Sequence, residues 1–151
     1  MFSDSLDRAI ATFILANGAA ATGSKVSIFF TFWGLNVIKK KHGPAVKKTL
    51  TEKMFAHMLP KSSDSLALSK MNMMGMGSKM IRGIMKKKNI DSLESLIRQA
   101  MDNGVEFIAC QMTMDMMGIK KEELLDGVTV GGVASYMQKA EEAGVNLFIQ
   151  T

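Results

Sequence analysis

The 151-residue sequence predicts an α/β fold, a parallel sheet with helices on both faces. Apolar, β-branched and aromatic runs at residues 26–32, 105–109 and 145–149 alternate with segments of helical periodicity. That alternation is the pattern of parallel strands joined by helical crossovers. The first run is almost wholly apolar after Ser27, as suits a strand covered on both sides. A composition of 47% hydrophobic and 22% charged residues fits one globular domain over 1–151 and excludes a disordered or collagen-like chain.

Met1-Phe2, directly before the first helix, reads as a truncated first strand. Ser3 or Asp4 is expected to cap a helix from about Ser5, with Leu6, Ile10, Phe13, Ile14 and Ala21 at helical spacing and Gly23 closing it. A strand over 25–32 follows and is broken by Trp33-Gly34. A short helix over 35–41 ends at His42-Gly43-Pro44. The next helix is expected over 46–59, stopped by Pro60, with a surface loop over 61–70. Residues 71–88 begin glycine-punctuated and turn helical, with Met80, Ile81, Ile84 and Met85 on one face.

Asp91-Ser92-Leu93-Glu94 reads as a capping box in which Asp91 caps and Glu94 reaches back. The helix it opens turns Leu93, Leu96, Ile97, Ala100 and Met101 inward and closes at Asn103-Gly104. A strand over 105–109 delivers Cys110 at its carboxyl end. Residues 111–117 are helical, and Gly118 stops them. A charged helix over 120–125, a short strand over 128–130, a helix over 133–143 ended by Gly144 and a last strand over 145–149 complete the series.

The net charge of +5 is carried partly by the runs Lys39-Lys40-Lys41, Lys47-Lys48 and Lys86-Lys87-Lys88. Cations at helix ends complement the helix dipole; the alternative is a patch for an anionic partner. Aromatic residues make up 7% and do not interleave with the lysines, so no nucleic-acid partner is expected. The longest apolar stretch, residues 9–21, is interrupted by Thr12, Asn17 and Gly18 and falls short of the ~20 residues of a membrane span. The opening residues do not read as a secretion signal. A cytoplasmic protein without a membrane partner is the expectation.

Ligands of open parallel sheets bind at the carboxyl ends of the strands. Residues 2–5, 32–34 and 109–111 meet there in this reading. Cys110 is the sharpest feature, since a thiol at a helix amino end has its thiolate favoured by unsatisfied N–H groups. The other reading is a buried structural thiol. A single cysteine excludes an internal disulfide, a C-x-x-C redox pair and a cysteine-rich zinc site, and it suits a reducing compartment. His42 and His57 are the only histidines and neither carries a motif. Fifteen methionines cluster at Met71, Met73, Met74, Met76 and Met80, and at Met112, Met114, Met116 and Met117. Thioethers bind Cu(I), but methionine also fills irregular cores and adaptable apolar surfaces, and no further ligand set accompanies these. Gly75 and Gly77 stand before a helix without a complete phosphate-binding motif. No cofactor and no metal is expected.

The segments FSDSLDRAIATFILANGAAATG, VSIFFTFWGLNVIKK, LSKMNMMGMGSKMI and VEFIACQMTMDMMGIKKEEL, in that order, closely resemble the DsrE/DsrF-like family over nearly the whole chain. Such domains are often described as sulfurtransferases or peroxiredoxin-like proteins, and some follow pyridine-nucleotide disulfide oxidoreductase modules. The resemblance implies a three-layer α/β/α fold with a mostly parallel five-stranded sheet, whose first strand is nearly missing here. It implies sulfur relay, in which a cysteine carries sulfur as a persulfide and passes it to a partner thiol. That role maps onto Cys110. Phe2, Ser3, Asp4, Trp33, Gly34, Lys70, Asn72 and Gln111 are the pocket candidates that accompany it. Homo-oligomers, trimers among them, are also implied.

Two classes of function follow. One is a sulfur carrier or transferase acting through Cys110, with donor and acceptor thiols as partners. The other is a non-catalytic accessory or binding module of a larger thiol/disulfide redox protein. Access to Cys110 separates them, because a sealed thiol favours the second.

Overall fold

The computed structural model describes residues 1–150 apart from Ala45 and Lys47. Lys47, part of the second lysine run, therefore lies outside the described residues. Strands β1 (Ser27–Phe30), β2 (Glu106–Cys110) and β3 (Thr129–Gly131) form one sheet in the order β1-β2-β3. Both pairings are parallel. Phe30 stands opposite Ala109, and Cys110 opposite Gly131. The α/β class with a parallel sheet is thus present, with three strands rather than five.

The two missing strands have a common cause. Met1 lies along β1 on the side away from β2: its nitrogen donates to the Phe29 carbonyl at 2.6 Å, and its carbonyl accepts from the Thr31 N–H at 3.1 Å. Phe2 then accepts from the Gly34 N–H and donates to the Ile149 carbonyl. A two-residue segment offers too few backbone groups to template a ladder. Residues 145–149 accordingly meet it through a single backbone bond and are not a strand.

Helix α1 (Leu6–Ala21) is flanked by Ser5, not capped by Ser3 or Asp4. Ser3 Oγ accepts from the Ser5 N–H at 3.2 Å and builds a turn ahead of the helix, while Asp4 is drawn away to Asn36. The short helix expected over 35–41 is a 3₁₀ turn that begins earlier, Phe32–Ile38, directly after Thr31. Phe32 adopts a positive φ of 47° to enter it, an uncommon conformation for a side chain of this size. Gly34 is required in that turn, because a side-chain carbon there would collide with the Met1 carbonyl.

Helix α2 (Leu50–Met58) starts later than expected, and Ser62, Ser63 and Leu66 in the supposed surface loop are buried. Helix α3 (Met76–Lys87) buries Met85 but leaves Met80 and Ile84 exposed, so its expected apolar face is not covered. Ahead of α4 (Leu93–Asp102), Ser92 is the cap, accepting from the Ser95 N–H at 3.2 Å. Asp91 instead takes the Ser95 hydroxyl and Gln99, and Glu94 pairs with Arg82 at 3.2 Å. The capping box is therefore replaced by a simpler cap, because both carboxylates have other donors. Leu93, Leu96, Ile97 and Ala100 face inward as expected, whereas Met101 is only partly buried.

Helix α5 (Gln111–Met117) follows β2 without a break and ends at Gly118, whose φ of 65° is left-handed. The charged segment after it contracts to a 3₁₀ turn over Lys121–Glu123. Helix α6 (Val133–Glu142) follows β3.

Alternation along the strands divides the core. Phe30, Phe107 and Ala109 point to the side of α1 and α4, where Phe13, Phe30 and Phe107 form a fully buried triangle with ring centroids 5.5 to 6.4 Å apart. Phe29, Ile108 and Cys110 point to the other side, against Tyr136 of α6. Helices therefore lie on both sides of the sheet.

Candidate functional site

Cys110 is the last residue of β2 and the residue immediately preceding α5. The strand period turns its side chain to the face covered by α6, and the residue is 1% exposed. Across the β1–β2 pairing, the register that matches Phe30 with Ala109 brings Thr31 beside Cys110. Thr113 reaches the same place from the first turn of α5. The hydroxyl oxygens of Thr31 and Thr113 lie 2.8 Å apart, and both residues are buried.

Burial raises the Cys110 thiol pKa. The Thr113 hydroxyl and N–H, the Thr31 hydroxyl and the Met112 N–H all lower it, and together they prevail, so the thiol ionises below its ordinary range. The side chain closes no capping hydrogen bond with α5. Chemically the surrounding donors favour a thiolate, which is the nucleophilic form.

Several of the remaining candidates gather ahead of and at the start of α1. Asp4 Oδ2 accepts from Asn36 Nδ2 at 3.0 Å. The Phe2 carbonyl accepts from Gly34, and the Phe2 ring stacks on Phe32 at 6.5 Å. Asp7 holds the chain just before Lys70, accepting from the Ser69 N–H and hydroxyl at 2.9 and 2.6 Å. Asn72 Oδ1 accepts from the Leu68 N–H at 3.2 Å. Ser3 is buried, whereas Trp33, Lys70 and Gln111 are exposed, and Gln111 Nε2 donates to Asp115. Among the described residues, no hydrogen bond or ring contact joins Phe2, Trp33, Lys70 or Asn72 to Cys110. Thr31 is the link between the two groups, since its N–H bonds Met1 and its hydroxyl bonds Thr113.

Sequence reasoning missed Thr31 and Thr113. Both were legible in principle. Thr113 stands three residues after Cys110, where a helix's first turn folds back, and Thr31 is the residue that a parallel register places beside Cys110.

His42 and His57 are exposed, and among the described residues no group of histidine, cysteine, aspartate and glutamate could hold a metal. Nor is any described helix long and apolar enough to cross a membrane.

The profile of the DsrE/DsrF/DrsH-like family matches residues 1–148. The chain belongs to the DsrE/DsrF/DrsH-like family. A family relative from Bacillus subtilis (strain 168), "Uncharacterized protein YrkE", is 50% identical over 149 residues, covering 99% of this chain and 93% of its own. Another, from Allochromatium vinosum (strain ATCC 17899), is named "Sulfur carrier protein DsrE2". It is 39% identical over 146 residues, covering 96% of this chain and 92% of its own.

Proposed function

We propose that this family member is a sulfur-relay protein that carries sulfur as a persulfide on Cys110 and passes it to a partner thiol. The supporting observation is the placement of the chain's one thiol at the β2–α5 junction, among two hydroxyls and two N–H groups that favour its thiolate. The Allochromatium relative's name points the same way.

In loading, the Cys110 thiolate attacks the outer sulfur of a donor persulfide. A new S–S bond forms on Cys110, the donor's S–S bond breaks, and its electron pair leaves with the donor sulfur as a thiolate. Discharge is the same exchange with an external acceptor thiolate as the attacker. An external acceptor is required because the chain has no second cysteine to resolve the persulfide. Donor and acceptor are thus thiol proteins or small thiols, and the site needs no cofactor.

The exposed methionines of residues 71–80 supply a self-association surface in this reading. Met71, Met73 and Met74 project from left-handed backbone with most of their surface in water, and a large apolar patch of this kind marks an interaction site. A homo-oligomer, with a trimer favoured, is the corresponding assembly of this single domain.

The accessory-module reading keeps one observation in its favour, the 1% exposure of Cys110. Mass spectrometry of the intact protein after incubation with a persulfide donor separates the two. Gain of one sulfur by the wild type and none by Cys110→Ser supports the carrier. An unmodified wild type, or a serine variant that still gains sulfur, rejects it.

A further inference from the structure

We infer that the Thr31–Thr113 hydroxyl pair is a positioning device that makes Cys110 a good leaving group, biasing the site toward releasing sulfur. The inference rests on the sulfur-carrier reading. It starts from the proton count of the pair. A threonine hydroxyl has one proton to donate, and one of the two protons lies in the 2.8 Å bond between Thr31 and Thr113. The other remains for the sulfur. While Cys110 is a neutral thiol, the buried hydroxyls partner each other. When Sγ gains charge, the free hydroxyl has a strong acceptor beside it, and the second hydroxyl polarises the first through their shared bond.

The pair is anchored from both sides. Thr31 is fixed by its N–H bond to the Met1 carbonyl and by the β1–β2 register. Thr113 is fixed by the first turn of α5. The donors are therefore in place before charge appears, which is the condition for stabilising it without reorganisation.

The two half-reactions feel this differently. In discharge, an acceptor thiolate attacks the outer sulfur of the protonated Cys110 persulfide. Its new S–S bond forms, the Cys110 S–S bond breaks, and the electron pair returns to Cys110 Sγ as a thiolate. Negative charge grows where the hydroxyls stand, so departure is assisted. In loading, charge leaves Sγ, and a stabilised thiolate is intrinsically a weaker nucleophile. Around the sulfur, β1 and β3 carry no titratable side chain. β2 carries Glu106 at its far end, paired with Lys139 of α6 at 2.7 Å. Tyr136, Glu141 and Glu142 of α6 and Asp115 of α5 complete the titratable groups on the elements flanking the site.

The test uses the full chain with Thr31→Val and Thr113→Val, singly and together, and with each threonine replaced by serine. The pH profile of Cys110 alkylation by iodoacetamide gives the thiolate midpoint. Stopped-flow rates with a small persulfide donor and a small acceptor thiol give loading and discharge. The double valine variant is expected to raise the midpoint by about one pH unit, the scale of a lost hydrogen bond to a charged group, each single variant by less because the remaining hydroxyl keeps its proton for the sulfur, and serine is expected to restore it. Above all the midpoints, the double valine variant should load about two- to threefold faster, following the dependence of thiolate nucleophilicity on pKa, yet discharge several-fold more slowly. A general packing defect does not split the rates in opposite directions. Unchanged midpoints, or loading and discharge that fall together, overturn the inference. Where a valine variant fails to fold, the serine and Thr→Ala variants at the same position carry the comparison. A wild type that takes up no sulfur removes the carrier reading, and the midpoints alone then decide whether the pair holds the thiolate.

Discussion

Phe29 and Tyr136 stack with ring centroids 4.8 Å apart and planes 24° from parallel. The contact joins β1 to α6 on the sheet face that carries Cys110. Among the described residues, α6 has no buried residue, and its other polar tie to the sheet is the ion pair from Lys139 to Glu106. Tyr136→Ala is therefore expected to cost about 1–2 kcal/mol, the aromatic pairing plus the lost apolar area. It should also raise the reaction rate of Cys110 with a disulfide reagent several-fold. Thiol titration of folded protein measures the second effect, and an unchanged rate would mean that Tyr136 does not limit access.

The lowered Cys110 pKa carries a stability consequence of defined sign. The thiol ionises more readily folded than unfolded, so its contribution is present above the unfolded value of about 8.5 and is lost as pH falls through the folded value. Urea midpoints of the wild type and Cys110→Ser, compared at neutral and at alkaline pH, should diverge in the wild type's favour as pH rises. Convergence with rising pH would show that burial outweighs the hydroxyl and N–H donors.

Phe107 touches both other rings of the buried triangle, at 5.6 Å from Phe13 and 5.5 Å from Phe30. Its replacement by alanine leaves a cavity between α1 and the sheet and is expected to cost about 3–5 kcal/mol. Equilibrium unfolding in urea gives the value. A loss below about 1 kcal/mol would mean that the layer collapses around the gap.

Replacing Met73 and Met74 together with glutamate places two charges on the most exposed apolar segment, where Met74 is fully solvent-accessible. Folding should be unaffected, because neither side chain is buried. Sedimentation should shift to a smaller species. A monomeric wild type, or an unchanged assembly in the variant, would remove this segment from the interface.

Much of the fold was legible where local and tertiary preferences agree. The helix over 111–117, its Gly118 stop and the delivery of Cys110 by the preceding strand all follow from short-range chemistry, namely a β-branched run, a glycine at positive φ and no competing proline. The inward face of α4 was readable for the same reason. Failures came where a residue had a remote partner. Asp4 left its capping role for Asn36, and Glu94 left its own for Arg82. The apolar run at 145–149 has the composition of a strand, but strand formation depends on a neighbour's length, which composition does not contain. Thr31 and Thr113 look like ordinary strand-end and helix residues until the register sets one beside the other.

Those two threonines are 82 positions apart in the chain, and β1 meets β2 across a comparable span, from Ser27 to Glu106. Closing so long a segment is entropically expensive and makes parallel pairing slow. During synthesis and refolding the chain's one sulfur is consequently an ordinary thiol, weakly ionised at neutral pH. Its activation arrives together with its enclosure, in the same long-range event. The favoured thiolate is thus a property of the folded chain alone, and the ionisation of Cys110 becomes a report of completed folding.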